Sequence, residues 1–199
     1  MEVEYDWTDA EQEKVRLLAD RITPKSWHIM ADPGDFKFIP GTLNINFWFL
    51  YSDYGDGDYI DDCRLGEVHG PMYVYPISFF KDQFRDAEEA VKKYGDGFIA
   101  NVEIRIYPSG AFWDLEGTVI HELAHVAVAR YQMWQQKPQK NNMSFALERE
   151  DDMHGPLFQR FYRIMLNRTK KVFGEEMVKH QWKHLTYFEN GWHKEEVNK

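Results

Sequence analysis

A single cysteine, Cys63, occurs in 199 residues. That excludes an internal disulfide and any cysteine-rich zinc ribbon. Long apolar runs are missing too: the longest apolar-aromatic run, FWFLY at 47–51, falls far short of a bilayer-spanning helix. The opening segment MEVEYDWTDAEQEK is acidic and has no apolar stretch of the kind a signal peptide needs. Basic runs are equally scarce, the nearest being the lysine pairs at Lys92 and Lys170. With 24 Lys and Arg against 33 Asp and Glu, the formal charge is −9. Such a chain is repelled by nucleic acid at long range unless its basic residues gather on one face. No internal repeat is visible, and low complexity is confined to the polar stretch QQKPQKNN at 135–142. Together these absences predict a soluble, cytoplasmic protein with no membrane partner.

What is present is apolar and aromatic: 43% hydrophobic residues and 16% aromatics, enough for one domain with a proper core. WTDAEQEKVRLLADRITP predicts an opening helix. Thr8 serves as N-cap and Glu11 completes a capping box, with Val15, Leu18, Ala19 and Ile22 as the buried stripe and Pro24 as the stop. FKFIP (36–40), LNINFWFLY (43–51) and MYVYPI (72–77) read as strands, being short, β-branched or aromatic, and bounded by Gly, Asp and Pro. The acidic loop SDYGDGDYIDD at 52–62 lacks EF-hand spacing and reads as a solvated turn rather than a calcium site. A second amphipathic helix follows within 79–97, with Phe84, Ala87, Val91 and Tyr94 on one side and Gly95 as its cap. In FIANVEIRIYP, Val102, Ile104 and Ile106 alternate with Glu103 and Arg105. This predicts a half-buried strand near a sheet edge, open to pairing with an extended peptide.

The chemistry concentrates in HELAH. His121 and His125 are four residues apart, so on a helix both imidazoles leave the same face one turn apart and can reach one metal ion. Glu122 is rotated off that direction, placed to take a proton from an attacking water rather than to bind the metal. The bland alternative is a core helix with two incidental histidines, but buried imidazoles without partners are costly. Asp114 is a suitable N-cap for this helix. Val119, Ile120, Leu123, Val126 and Ala127 supply its buried sides, and Gly117 lowers propensity while allowing close packing.

A catalytic zinc takes three protein ligands and keeps one position open. His-Gly-Pro occurs twice, at His69 and at His154. The first copy leads into the strand-like MYVYPI and reads as a turn. The second opens PLFQRFYRIMLNR, where Pro156 suits the first turn of a helix and Leu157, Phe161, Ile164 and Met165 form a stripe with Phe158 beside it. His154 is then mounted at the entrance of a packed helix, a rigid position for a third ligand.

HELAHV followed by HGPLFQRFYRIMLN resembles the SprT-like, Spartan-type zinc metallopeptidases, over roughly residues 101–168. The resemblance implies an α+β fold with a zincin-like core, in which a small, mostly antiparallel sheet packs on the HExxH helix and a third-ligand helix follows. It implies one catalytic zinc ion held by His121, His125 and His154, with Glu122 as general base. It also implies a protein or peptide substrate. Within a single domain, 1–100 would supply the N-terminal helix, strands and second helix, 101–168 the zinc core with a long loop at 132–153, and 169–199 a C-terminal helix and tail. The chain departs from the family in its long connection from Val126 to Met153, its lack of a zinc ribbon, and an acidity that disfavours the DNA association of the crosslink-repair members.

Other residues carry weaker readings. Tyr131, Tyr162, Arg160 and Arg163 are chemically able to stabilise an oxyanion. Asp151 and Asp152 could orient His154 but read as a solvated loop. His180 and His184 share helical spacing without a third ligand and read as a solvated face. His28 and His193 have no partners in sequence, and Cys63 has no neighbouring base. Two other function classes stay open: a zinc-stabilised, non-cleaving adaptor and a DNA-associated protease.

Overall fold

The computed structural model describes residues 5–51, 65–136, 144–145 and 154–189. It is α+β. Helix α1 (Asp9–Ile22) leads to β1 (Trp27–Ile29) and β2 (Leu43–Phe49), followed by β3 (Gly66–Pro76) and a short 3-10 turn. Next come α2 (Arg85–Tyr94), β4 (Phe98–Ile106), α3 (Pro108–Trp113) and the long α4 (Leu115–Gln136). A two-residue β5 (Ser144–Phe145), α5 (Pro156–Phe173) and α6 (Lys179–Glu189) complete it. None of the described helices is long and apolar enough to cross a membrane.

The first helix forms as its sequence dictates. The Thr8 side chain accepts the Glu11 amide while the Glu11 carboxylate accepts the Thr8 amide, and Val15, Leu18, Ala19 and Ile22 are all buried. Helix α4 is different in kind. Val119, Ile120, Leu123, Ala124, Val126 and Ala127 are buried around most of its circumference, so it sits inside the molecule rather than on it. The main core joins α1, α4 and α5 to one face of the sheet. A smaller cluster of Phe38, Ile77, Phe80, Ala87, Ala90 and Ile99 covers part of the other face through α2.

The sheet order is β1-β2-β4-β3-β5. β1, β2 and β4 run parallel, while β3 is antiparallel to both β4 and β5. The sheet is therefore mixed rather than mostly antiparallel: β1 returns to β2, and β2 to β4, by crossovers that keep strand direction. β4 lies at the centre, between β2 and β3, and offers no free edge. Its alternation of Val102, Ile104 and Ile106 with Glu103 and Arg105 reports two different faces, one packed on helices and one polar; alternation says nothing about edges.

Four further expectations are corrected. FKFIP is not a strand: Phe36 and Phe38 turn their rings onto Phe80 and Phe84, and the Lys37 amide donates to Asn44 Oδ1 at 2.8 Å. Tyr94 is exposed, Ala90 taking its place in the buried stripe of α2. Helix α4 continues to Gln136, shortening the loop expected at 132–153. The buried stripe of α5 is Phe158, Tyr162, Met165, Leu166 and Thr169. It is rotated by about one residue from the expected face, leaving Ile164 in solvent, because the Phe158 and Tyr162 rings are drawn to the histidines of α4. The acidic loop at 52–62, Cys63, Asp151, Asp152 and His193 lie outside the described residues.

Candidate metal centre

Asp114 starts the helix that carries the first two histidines. Its carbonyl accepts the Thr118 amide and its Oδ1 accepts the Gly117 amide, each at 2.9 Å. Its Oδ2 accepts from Gln181 Nε2 of α6. Gly117 makes this crossing possible, since a Cβ there would lie 2.6 Å from Asp114 Cγ and 2.7 Å from Gln181 Nε2. Two turns on, the same side of α4 presents His121 and then His125. His154 stands just before Gly155, the N-cap of α5, whose first turn begins with Pro156. The Gln159 side chain donates to the His154 carbonyl at 3.0 Å, tying the entrance to the helix behind it.

The three Nε2 atoms converge. His121 Nε2 lies 3.1 Å from His125 Nε2 and 3.1 Å from His154 Nε2. Among the described residues these three are the one group of His, Cys, Asp or Glu with ligand atoms close enough to share a metal ion. The Phe158 ring packs on all three, with centroids 4.9, 4.4 and 4.8 Å from His121, His125 and His154. Tyr162 stacks on Phe158 and meets His121 edge-on. This aromatic wall fixes the imidazole rotamers and keeps water from one side. Burial, reinforced by neighbouring His154, pushes His125 down to about 3. Near neutrality it is thus an uncharged imidazole with a lone pair to donate.

Glu122 is buried beside this group. Gly66 of β3 lets the strand approach: a Cβ there would fall 2.8 Å from Thr118 Cγ2 and 3.1 Å from Glu122 Cγ. Burial raises the Glu122 carboxyl to about 8, the Glu67 charge adds to the rise, and a hydrogen bond from the Val68 amide opposes it. A divalent cation at the histidines would pull it back down. Glu67 and Val68 are contributors that sequence reasoning missed. The one available signal was their position two and one residues before His69, in a segment read as a turn.

That segment is not a turn. His69 lies within β3, where pairing with β4 slips between His69 and Tyr73, and the irregularity falls at Gly70-Pro71, where proline cannot donate to the ladder. His69 Nδ1 is 3.4 Å from Glu67 Oε1, on the polar side of the sheet and outside the histidine cluster. The other expected site residues scatter. Tyr162 is buried against His121, with burial and the Asp114 charge holding its hydroxyl well above the usual phenol range. Tyr131 is half-exposed and packs on Phe161. Arg160 and Arg163 are on the exposed face of α5, turned from α4. His28 Nε2 pairs with the Asp35 carbonyl at 2.9 Å, and His180 is exposed on α6. Compared with known proteins, the chain matches no family model, no curated protein and no solved structure.

Proposed function

We propose that the chain is a zinc-dependent metalloendopeptidase with a zincin-like, SprT-like core, holding one zinc ion on His121, His125 and His154. The observation that carries this reading is the convergence of three Nε2 atoms beside a buried glutamate. Nitrogens bound tetrahedrally at about 2.0–2.1 Å stand roughly 3.3 Å apart, close to the 3.1 Å separations found here. Three imidazole nitrogens without an acid among them suit zinc, imidazole being its common ligand. When bound, zinc supplies Lewis acidity, lowering the pKa of a coordinated water toward about 7 and polarising a carbonyl.

Glu122 does the proton work. It sits one residue from His121 and turns from the imidazoles toward β3, where the Val68 amide holds its carboxylate. From there it accepts the proton of the attacking water and passes it to the leaving amine. Phe158 and Tyr162 hold the ligands and exclude solvent.

The test is Glu122→Gln beside wild type, with zinc content and cleavage of an unfolded protein measured on the same preparations. The variant should keep its zinc and lose turnover by about 100-fold or more, the usual worth of a general base. Near-normal turnover in the variant would remove Glu122 from the mechanism. A zinc-loaded wild type inert toward every unfolded protein tried would favour the non-cleaving adaptor.

A further inference from the structure

Helix α5 has a composition unlike the rest of the chain. Its 18 residues hold Arg160, Arg163, Arg168, Lys170 and Lys171 and no acidic residue. The whole chain carries −9, so everything outside this helix amounts to −14. Favourable placement near the helix C-terminus accounts for Lys170 and Lys171, but not for arginines in the first half. Arg168 donates to the Ile22 carbonyl at 3.1 Å, closing α1, Lys170 pairs with Glu175 at 2.9 Å, and Arg163 is engaged as well.

Arg160, Ile164, Asn167 and Lys171 follow one another at helical spacing along the exposed side, with Arg163 flanking them. Ile164 in the middle of this row is 36% exposed, so the face is basic with an apolar patch. Among the described residues neither Arg160 nor Lys171 has an ion-pair partner. From Arg160 to Lys171 the helix rises by about 16 Å, the length of roughly five residues of extended chain. The face points away from α4, and its helix begins two residues after His154.

We infer that the exposed face of α5 is a docking surface for a short acidic segment, with interspersed apolar side chains, of a protein that the chain engages. The partner's chemistry follows from the charge. Carboxylates spaced along an extended segment match a basic row of this length, and an apolar residue between them meets Ile164. A nucleic acid fits less well: no aromatic side chain of α5 is exposed for stacking, and a long polyanion leaving the helix meets a molecule of net negative charge. Where the chain cleaves proteins this surface selects acidic substrates at a distance from the metal; this last step rests on the peptidase reading, whereas docking itself does not.

The experiment uses the full chain and a fluorescent twelve-residue peptide of alternating glutamate and leucine. Its probes for comparison are the same peptide with glutamine for glutamate and an oligothymidylate of fifteen nucleotides. Binding is read by anisotropy against salt. The acidic peptide should bind, weaken with salt, and weaken by about tenfold or more in Arg160→Gln/Arg163→Gln/Lys171→Gln, three exposed changes each removing a modest charge interaction. His121→Ala, which removes a metal ligand, should bind it as wild type does, so failure of the peptidase reading would leave docking readable. Equal affinity in wild type and triple variant overturns the inference. So does tighter binding of the oligonucleotide with the same dependence on the three residues, or self-association of the chain that occupies the face. A melting temperature for the triple variant, together with the salt dependence of wild type alone, guards against a folding artefact.

Discussion

The same tripeptide, His-Gly-Pro, occurs in two mechanical settings. At His69 it lies inside β3, where Gly70-Pro71 breaks the pairing with β4 and the imidazole faces Glu67 on the polar side of the sheet. At His154 it lies at the mouth of a helix. Gly155 caps α5, Pro156 opens it, Phe158 packs one turn on against the imidazole, and Gln159 secures the carbonyl. Three letters of sequence are shared; the element that follows decides whether the histidine is aimed. A strand sends alternate side chains to opposite faces, whereas a helix buried on one side fixes its first residue relative to everything it packs against.

The sharpest way to break this contrast is to remove each histidine in turn. His154→Ala should lose most of the bound zinc, because a site reduced to two imidazoles no longer closes around the ion. His69→Ala should hold zinc as wild type does. Zinc content of the two purified variants reads the difference directly. If they retained zinc equally, the convergence of the three Nε2 atoms would have no bearing on metal binding, and the comparison between the two copies would collapse.

A smaller effect should appear in stability against pH, and its sign differs with and without the metal. In the metal-free protein His125 is depressed from 6.5 to about 3 and Glu122 is raised from 4.5 to about 8. Between about 3 and 6.5 the unfolded state binds more protons at the histidine, so that contribution to stability grows as pH rises. Between about 4.5 and 8 the folded state binds more protons at the glutamate, so that contribution is lost as pH rises. The two oppose each other in the middle range. Metal-free protein should therefore be most stable between about 4.5 and 6.5 and lose a few kcal/mol toward 8. Zinc reverses the upper limb, since it favours unprotonated ligands and a charged Glu122. His154→Ala should follow the metal-free curve and His69→Ala the zinc-loaded one, as thermal melts at several pH values would show. A metal-free chain whose stability rose steadily to pH 8 would mean that Glu122 is not held in the buried setting described here.

How much of this was legible in the sequence depends on whether a residue's role is local. The capping box of α1, its four buried residues, the Gly95 cap of α2 and the buried flanks of α4 all follow from spacing within one helix, and the structure shows them so. The position of β4 was not legible: periodicity identifies a strand's faces but carries no information about its neighbours, and β4 proved central. β1, with three residues, is too short to leave a pattern. The path of FKFIP depended on aromatic packing with residues forty positions away. At the candidate metal centre, the spacing of His121 and His125 is local, but the share of Glu67 and Val68 in the setting of Glu122 exists only because β3 returns beside α4. The stripe of α5 was misread by one residue for a related reason. Its buried side is chosen by the histidines it covers, which lie on another helix.

The same division between local and distant roles can be tested at two helix entrances, with the smallest expected effects. Thr8 caps α1 through a box confined to residues 8 and 11. Asp114 caps α4 and also accepts from the buried Gln181 of α6. Thr8→Ala should cost about 1 kcal/mol, the usual worth of an N-cap, and leave zinc affinity unchanged. Asp114→Ala loses a comparable cap and strands a buried amide besides, adding about 1–3 kcal/mol. It also loosens the turns that lead to His121, so zinc affinity should fall with stability. Denaturant unfolding and zinc titration on the two variants separate these expectations. Equal losses in both would mean that Asp114 acts only within its own helix, and that the aim of His121 does not depend on how α4 is anchored to α6.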